Sequence, residues 1–156
     1  MDRIRWDSRL KTGNALIDAD HETLIHLFNQ VAHAATHKAG RLVCNRILDR
    51  LIQHTKAHFE MEERLMIAYN FPNTAEHKAE HAKLIYEALE YKFKYESADV
   101  QLPLAEFPRH WATLHMMTSD KEMSDFLATA VRRHAPTESP KFPLPGSGMR
   151  PRKARS

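Results

Sequence analysis

Apolar residues recur at steps of three and four over four long stretches of the chain, which is the spacing of amphipathic α-helices. Gly40 and the segment around Pro72 separate the first three stretches, and Asp18 is expected to cap the first helix. The pattern predicts helices over residues 18–38, 41–69, 74–96 and 103–134. Helices of this length with short connections form an all-α, up-down-up-down four-helix bundle, here with an irregular N-terminal arm over residues 1–16.

Chargeable residues interrupt the apolar stripes in a regular way. A histidine lies near the start of the first helix, and the later helices carry H-x-x-x-E, H-x-x-x-H and H-x-x-x-x-D in turn. Residues four apart share one helix face, and antiparallel neighbours bring these positions to one end of the bundle. Seven residues are therefore predicted to converge on one pocket: His21, His58, Glu62, His77, His81, His115 and Asp120.

This set of side chains has the chemistry of a metal site. Imidazole nitrogen and carboxylate oxygen without sulfur suit iron, zinc or manganese. A single tetrahedral zinc needs only four ligands, so seven ligands favour two ions, with Glu62 and Asp120 each able to span the pair. Burying five histidines and two acids without metal would be costly, which disfavours a metal-free polar network. We hypothesise that a histidine-rich site favours reversible ligand binding over strongly oxidising chemistry.

The spacing between His115 and Asp120 does not fit a regular helix. Residues five apart lie roughly 140° apart around a helix of ~3.6 residues per turn. Glu122 aligns better by angle, but seven residues separate it from His115 by about 10.5 Å along the axis. We therefore predict Asp120 as the ligand, with a local irregularity in the helix before it.

Charge and composition divide the 156 residues into two parts. The net charge is +3, yet residues 136–156 alone carry +4, from five basic residues against Glu138, so the remainder is close to neutral (3 − 4 = −1). We predict a bundle over 1–135 and a basic, Pro-rich, disordered tail over 136–156. The tail lacks interleaved aromatics, so we expect no nucleic-acid partner, while a protein partner through the tail stays open; we also expect a monomer.

The remaining composition limits the protein class. A single cysteine, Cys44, excludes an internal disulfide. The N-terminus lacks the apolar run of a secretory signal, and no run reaches the length of a membrane span. We therefore expect a cytoplasmic protein that does not engage a membrane. Six histidines outside the predicted pocket are interpreted as surface or core residues; of these, His54 has an alternative role beside the ligands, because it shares a face with His58.

The chain resembles the hemerythrins, in particular the single-domain bacterial form, over roughly residues 6–125. Four segments carry the resemblance. The first is Trp6 with T-G-N and I-D-A-D-H, ending at His21. The second-helix segment is H-T-K-A-H-F-E-M-E-E-R-L-M over residues 54–66. The others are H-K-A-E-H over 77–81 and W-A-T-L-H-M-M-T-S-D over 111–120.

The resemblance implies two non-haem iron ions with a bridging oxo or hydroxo group, and O₂ as the ligand. By position in the motifs, one iron would be held by His77, His81 and His115. The other, with an open coordination position, would be held by His21 and His58. Glu62 and Asp120 would bridge the two irons. The implied role is O₂ carriage, storage or delivery, and not catalysis; an O₂ or redox sensor, a peroxidase or ferroxidase, and a structural metal protein are the alternatives.

Two residues depart from the family pattern. The family usually has a leucine directly after the fourth-helix tryptophan, at a position that lines the O₂ pocket, whereas this chain has Ala112. A smaller side chain there should admit water and speed autoxidation. Pro108 stands where the family has a helix former, so a bend or a late start of the fourth helix is expected.

Overall fold

The computed structural model describes residues 3–37, 39–97 and 114–134. Within these ranges the chain is helical and has no strand, and the predicted four-helix bundle is confirmed. The helices are α1 (Ala15–Thr36), α2 (Arg41–Ala68), α3 (Thr74–Ser97) and α4 (Ser119–His134), the last preceded by a helical turn over 114–117. The predicted start of the fourth helix at residue 103, Pro108, Ala112 and the 136–156 tail lie outside the described residues, so the proposed domain boundary stays a prediction.

The start of α1 differs from the prediction. The carboxamide oxygen of Asn14 accepts the amide of Leu16 at 3.1 Å, so Asn14 caps the helix, which therefore begins before Asp18. The Asp18 carboxylate instead accepts the amide and hydroxyl of Thr12 at 2.7 and 2.8 Å. This turn needs a residue with a left-handed backbone, and Gly13 supplies it at φ 89°. The prediction that Asp18 caps α1 is wrong, because the Asp18 side chain binds Thr12 of the N-terminal arm instead of the first amides of the helix.

The connection between α2 and α3 reverses the chain sharply, as the Pro72 segment predicted. Asn70 adopts a left-handed backbone at φ 54°, and the amide of Phe71 bonds the carbonyl of Met66 at 2.9 Å. The Phe71 side chain turns inward and is buried, with its ring edge-on to that of Phe126 at 5.3 Å between centroids. The reversal thus places the end of α2 beside the start of α3, with the apolar rings of Phe71 and Phe126 packed against each other there.

Two apolar clusters fill the interior, and a polar layer separates them. One cluster joins the arm, α1, α2 and Met116, and the other joins Ile17, the end of α2, Phe71 and α4. Along α1, His21 lies between Ile17 of the second cluster and Leu24 of the first. The chargeable side chains therefore lie in a layer bounded by apolar packing above and below. None of the described helices combines the length and apolar character that crossing a membrane requires.

Candidate metal centre

All seven residues predicted to form the pocket are buried, with exposed fractions between 0% and 8%. Their nitrogen and oxygen atoms fall into two groups, and within each group the candidate atoms lie within 4.8 Å of one another. The three-histidine group consists of Glu62, His77, His81, His115 and Asp120. The two-histidine group consists of His21, His58, Glu62 and Asp120. The two groups share both carboxylates, so the structure brings all seven residues into one double site.

Asp120 lies between the two groups and presents one oxygen to each. Its Oδ1 lies 3.0 Å from Nε2 of His115 and 3.1 Å from Nε2 of His77. Its Oδ2 lies 3.1 Å from Nε2 of His21. The carboxylate is fully buried, so its charge is compensated only from within this layer.

Glu62 divides its oxygens in the same way. Oε1 lies 3.5 Å from Nε2 of His58, and Oε2 lies 3.3 Å from Nε2 of His81. Neither oxygen has a hydrogen-bond partner among the described residues, although the side chain is completely inaccessible to solvent. A buried carboxylate without hydrogen bonds is unfavourable, so both Glu62 oxygens are available to bind a cation.

A break in the fourth helix brings His115 and Asp120 together. The helical turn over 114–117 ends at Thr118, whose amide lies within bonding distance of the carbonyls of both Leu114 and His115, at 3.1 and 3.2 Å. A new helix begins at Ser119, with Asp120 in its first turn. The irregularity predicted from the five-residue spacing is therefore present, and Asp120 rather than Glu122 enters the pocket: Glu122 is exposed and accepts a bond from Asn73.

The unpaired polar atoms of the layer fit a pair of cations. The buried side-chain atoms without a hydrogen bond in the described part of the chain include both Glu62 oxygens, Nε2 of His81, Nε2 of His115 and Oδ2 of Asp120. Nε2 of His21 and Nε2 of His58 face each other at 3.2 Å. A pocket with this many inward-facing nitrogen and oxygen lone pairs has the ligand atoms that metal ions need. The donor set, nitrogen and oxygen without sulfur, suits iron, zinc or manganese.

The electrostatics of the metal-free site keep two of the histidines neutral. Burial lowers the pKa of His58 to about 4, helped by the neighbouring His21. Burial lowers the pKa of His81 to about 2, helped by His77 and His115. Neutral imidazole is the form that binds a metal, so these two histidines remain competent ligands well below neutral pH.

In the metal-free site the pKa values of the two shared carboxylates shift in opposite directions. Burial, and then the charge of Asp120, raise the pKa of Glu62 well above its usual range. Burial opposes ionisation of Asp120 too, but the imidazoles of His115, His21 and His77 hold its pKa well below its usual range. One of the two acids therefore carries the charge and the other holds a proton. Cations in the pocket would displace that proton and allow both carboxylates to ionise.

Three carboxylates outside the pocket contact the outer nitrogens of the histidines, and sequence reasoning missed them. Oδ2 of Asp20 lies 3.4 Å from Nδ1 of His58. Oε1 of Glu63 lies 3.3 Å from Nδ1 of His81, and Oε2 of Glu80 lies 3.0 Å from Nδ1 of His115. Such a carboxylate holds the proton on Nδ1 and leaves Nε2 facing inward as the ligand atom.

A signal for these three residues exists in the sequence. Asp20 directly precedes His21, Glu63 directly follows Glu62, and Glu80 directly precedes His81. A residue next to a ligand points about 100° away from it around the helix, toward a ligand on a neighbouring helix. His54, for which the sequence leaves open a role beside the ligands, contacts one of these carboxylates: its Nε2 lies 3.6 Å from Oδ1 of Asp20, whose Oδ2 contacts the ligand His58.

Aromatic rings cover the pocket and restrain its imidazoles. The ring of Phe59 is stacked on that of His81, with 3.7 Å between centroids and 6° between planes. Phe71 lies edge-on to His77 at 6.3 Å, and Trp6 of the arm lies edge-on to His21 at 6.5 Å. These rings exclude water from the pocket and limit the rotation of its ligands.

The sequence of this chain is similar to those of known proteins. Residues 12–139 match the family model of the hemerythrin HHE cation binding domain. A bacteriohemerythrin of Ralstonia nicotianae is 31% identical over 128 residues, which cover 80% of this chain and 89% of that protein. A bacteriohemerythrin of Stenotrophomonas maltophilia is 27% identical over 131 residues, covering 83% and 85%.

Solved structures extend the likeness to the backbone. A crystal structure of wild-type hemerythrin is similar to this chain with a TM-score of 0.74 at 27% identity, covering 81% of this chain and 99% of that one. The match to the family model covers most of the chain, including all seven pocket residues. The chain therefore belongs to the hemerythrin family.

Proposed function

We propose that this protein binds O₂ reversibly at a di-iron centre held by the seven pocket residues. The observation that carries the proposal is that the two groups of ligand atoms share both Glu62 and Asp120. Two separate metal sites would not need common ligands, whereas a pair of ions a few ångströms apart is held by bridging carboxylates. The match to a cation-binding family supports the same conclusion.

The ligand counts of the two groups differ, and the difference supports ligand binding at one side. Three imidazoles and two shared carboxylates offer five ligands, while two imidazoles and the same carboxylates offer four. With one bridging oxo or hydroxo group, six-coordinate iron would be complete on the three-histidine side. The two-histidine side, with His21 and His58, would keep one position for O₂.

The chain's own residues create the conditions that reversible binding requires. When bound, the iron pair would supply the electrons that O₂ accepts and recover them on release. Asp120 and Glu62 would offset the positive charge of the ions, and the rings of Phe59 and Phe71 keep bulk water away. Because the seven pocket residues are buried between two apolar clusters, we expect binding rather than steady turnover of peroxide or Fe(II).

The wider biological setting stays a prediction from the sequence. We propose carriage, storage or delivery of O₂, in a cytoplasmic monomer with no membrane or nucleic-acid partner. A partner bound through the 136–156 tail would instead indicate a sensor. Deletion of the tail with unchanged O₂ binding but an altered cellular response would favour that reading.

The test is a visible spectrum of protein loaded with Fe(II) under argon, then exposed to air and returned to argon. We expect an absorption band that forms in air and disappears under argon over repeated cycles. His58→Gln should abolish the band, while His26→Gln, an exposed histidine on α1, should preserve it. A single irreversible change in air, or no change at all, would contradict reversible binding.

A further inference from the structure

Glu80 connects two parts of the chain that flank the helix break. It lies on α3 between His77 and His81 and is about half exposed, so it is not a ligand of the pocket. Its Oε2 lies 3.0 Å from Nδ1 of His115 and accepts a hydrogen bond from the hydroxyl of Ser119 at 2.5 Å. One carboxylate oxygen therefore contacts a ligand on one side of the break and the first residue of α4 on the other.

The break is the feature on which the fourth-helix ligands depend. In a continuous helix His115 and Asp120 would point roughly 140° apart. Because the turn ends at Thr118 and the helix restarts at Ser119, Nε2 of His115 and Oδ1 of Asp120 come within 3.0 Å. Ser119 directly precedes Asp120, so a bond that fixes Ser119 also fixes the direction in which Asp120 enters the pocket.

We infer that Glu80 is a positioning residue of the metal centre, holding His115 and Asp120 in register across the break at Thr118. The inference rests on the proposed metal site, and it concerns a residue that touches no ion. By accepting a hydrogen bond from Nδ1–H of His115, Glu80 leaves Nε2 as the ligand atom. By accepting a hydrogen bond from the Ser119 hydroxyl, Glu80 also fixes the direction of the next residue, Asp120, whose carboxylate the two groups share.

The other two outer carboxylates lack this double connection. Asp20 contacts the ligand His58 and the neighbouring His54, and Glu63 contacts the ligand His81 and the ammonium of Lys78 at 2.8 Å. Each of these carboxylates therefore contacts a single ligand. Loss of Glu80 should disturb His115 directly and Asp120 through Ser119. Since Asp120 belongs to both groups, both ions should be held less tightly.

The experiment compares Glu80→Ala and Glu80→Gln with a matched control, Glu87→Ala. Glu87 lies two turns further along α3 with a similar exposed fraction and pairs with Lys83 at the surface. Alanine favours helix at exposed positions, so these variants should fold. We expect a chelator to remove both irons about 10–100-fold faster from Glu80→Ala than from the unaltered protein. Glu80→Gln, which keeps an acceptor oxygen, should fall between, and Glu87→Ala should match the unaltered protein.

A second readout follows the histidine directly. In protein loaded with zinc, which is diamagnetic, and labelled with ¹⁵N at histidine, NMR should show a His115 Nδ1 proton that exchanges slowly with solvent because it is hydrogen-bonded to Glu80. Glu80→Ala should speed this exchange, whereas Glu87→Ala should leave it unchanged. Ser119→Ala should keep the slow exchange but still speed iron release, because it removes only the hydrogen bond that fixes the residue before Asp120.

Two results separate the inference from the proposed function. If Glu80→Ala releases iron at the rate of the unaltered protein and leaves the exchange of the His115 Nδ1 proton as slow as before, the positioning role is wrong while the di-iron site stands. If the unaltered protein takes up no pair of ions, the proposed function fails, and the positioning role fails with it.

Discussion

Glu62 and Asp120, on α2 and α4, each turn one carboxylate oxygen toward the three-histidine group and the other toward the two-histidine group. The 3.0–3.1 Å contacts of Asp120 and the 3.3–3.5 Å contacts of Glu62 have this same division. Two acids from different helices adopting one arrangement indicate a site built for two cations.

Replacement of Glu62 should separate metal binding from folding. Glu62→Gln keeps the size of the side chain but removes the charge that a bridging ligand needs. Burial and the charge of Asp120 raise the pKa of Glu62 well above its usual range and so favour its neutral form in the metal-free chain. A neutral amide in its place should therefore change the free energy of unfolding by no more than about 1 kcal/mol. Iron content should fall to one ion or none.

The control for this change is Glu60→Gln, an exposed carboxylate on the same helix, which should keep the iron content of the unaltered protein. Metal analysis and urea unfolding of both variants measure the two effects separately. Two firmly held irons in Glu62→Gln would show that this carboxylate is not needed to join the pair.

The stability of the metal-free protein should fall as the pH is lowered from 6.5 to 4.5. The pKa values of His58 and His81, lowered to about 4 and about 2, mean that the unfolded chain binds two protons here that the folded chain does not. The raised pKa of Glu62 opposes this difference by at most one proton, which the folded chain keeps and the unfolded chain releases. Once the pH is well below 6.5, the unfolded state still binds about one proton more than the folded state (2 − 1), which corresponds to about 1.4 kcal/mol per pH unit.

Glu62→Gln removes the opposing proton and should make this pH dependence about twice as steep. The shifts of His115, upward, and Asp120, downward, act above and below this range and leave the sign unchanged. Urea unfolding in the presence of a chelator, at several pH values, measures the slope. A metal-free protein that becomes more stable on acidification through this range would contradict the predicted sign.

Substitution of Ala112 by leucine should slow autoxidation. Ala112 lies outside the described residues, and the expectation rests on the family pattern, which places a leucine beside the O₂ pocket. A larger apolar side chain should exclude water and so extend the life of the oxygenated protein several-fold. The decay of the visible band in air measures this; equal decay rates in Ala112→Leu and the unaltered protein would remove Ala112 as the cause.

Loss of the α1 cap should weaken the fold without loss of metal ligands. Asn14→Ala removes the acceptor for the first amides of α1 and should lower the free energy of unfolding by about 1 kcal/mol. Glu22→Ala, at an exposed position within the same helix, serves as the comparison and should have little effect. Chemical denaturation curves decide the matter: equal midpoints for the two variants would argue against Asn14 as the cap.

Sequence periodicity was sufficient to predict the bundle and the convergence of the seven residues. The reason is geometric, since a four-residue repeat fixes the face of a helix and antiparallel order fixes the end. The break between His115 and Asp120 was also predictable, because no regular helix aligns residues five apart. The family assignment followed from the same motifs.

Contacts between helices were not predictable in the same way. Asn14 rather than Asp18 caps α1 because the path of the arm places the Thr12 hydroxyl and amide beside Asp18, whose carboxylate accepts hydrogen bonds from both. The pairing of Glu80 with His115 and Ser119 depends on the rotation of α3 against the fourth-helix segment. The spacing of residues along the chain carries no information on that rotation. The sequence signal for Glu80 is therefore only that it is adjacent to the predicted ligand His81.

The most direct test of the account is an anaerobic titration of the metal-free protein with Fe(II), followed by removal of unbound metal and a count of iron per chain. Two ions per chain are expected, with binding lost when Asp120 is replaced by asparagine. A stable value of one ion, or uptake that does not depend on Asp120, would contradict the shared-carboxylate centre.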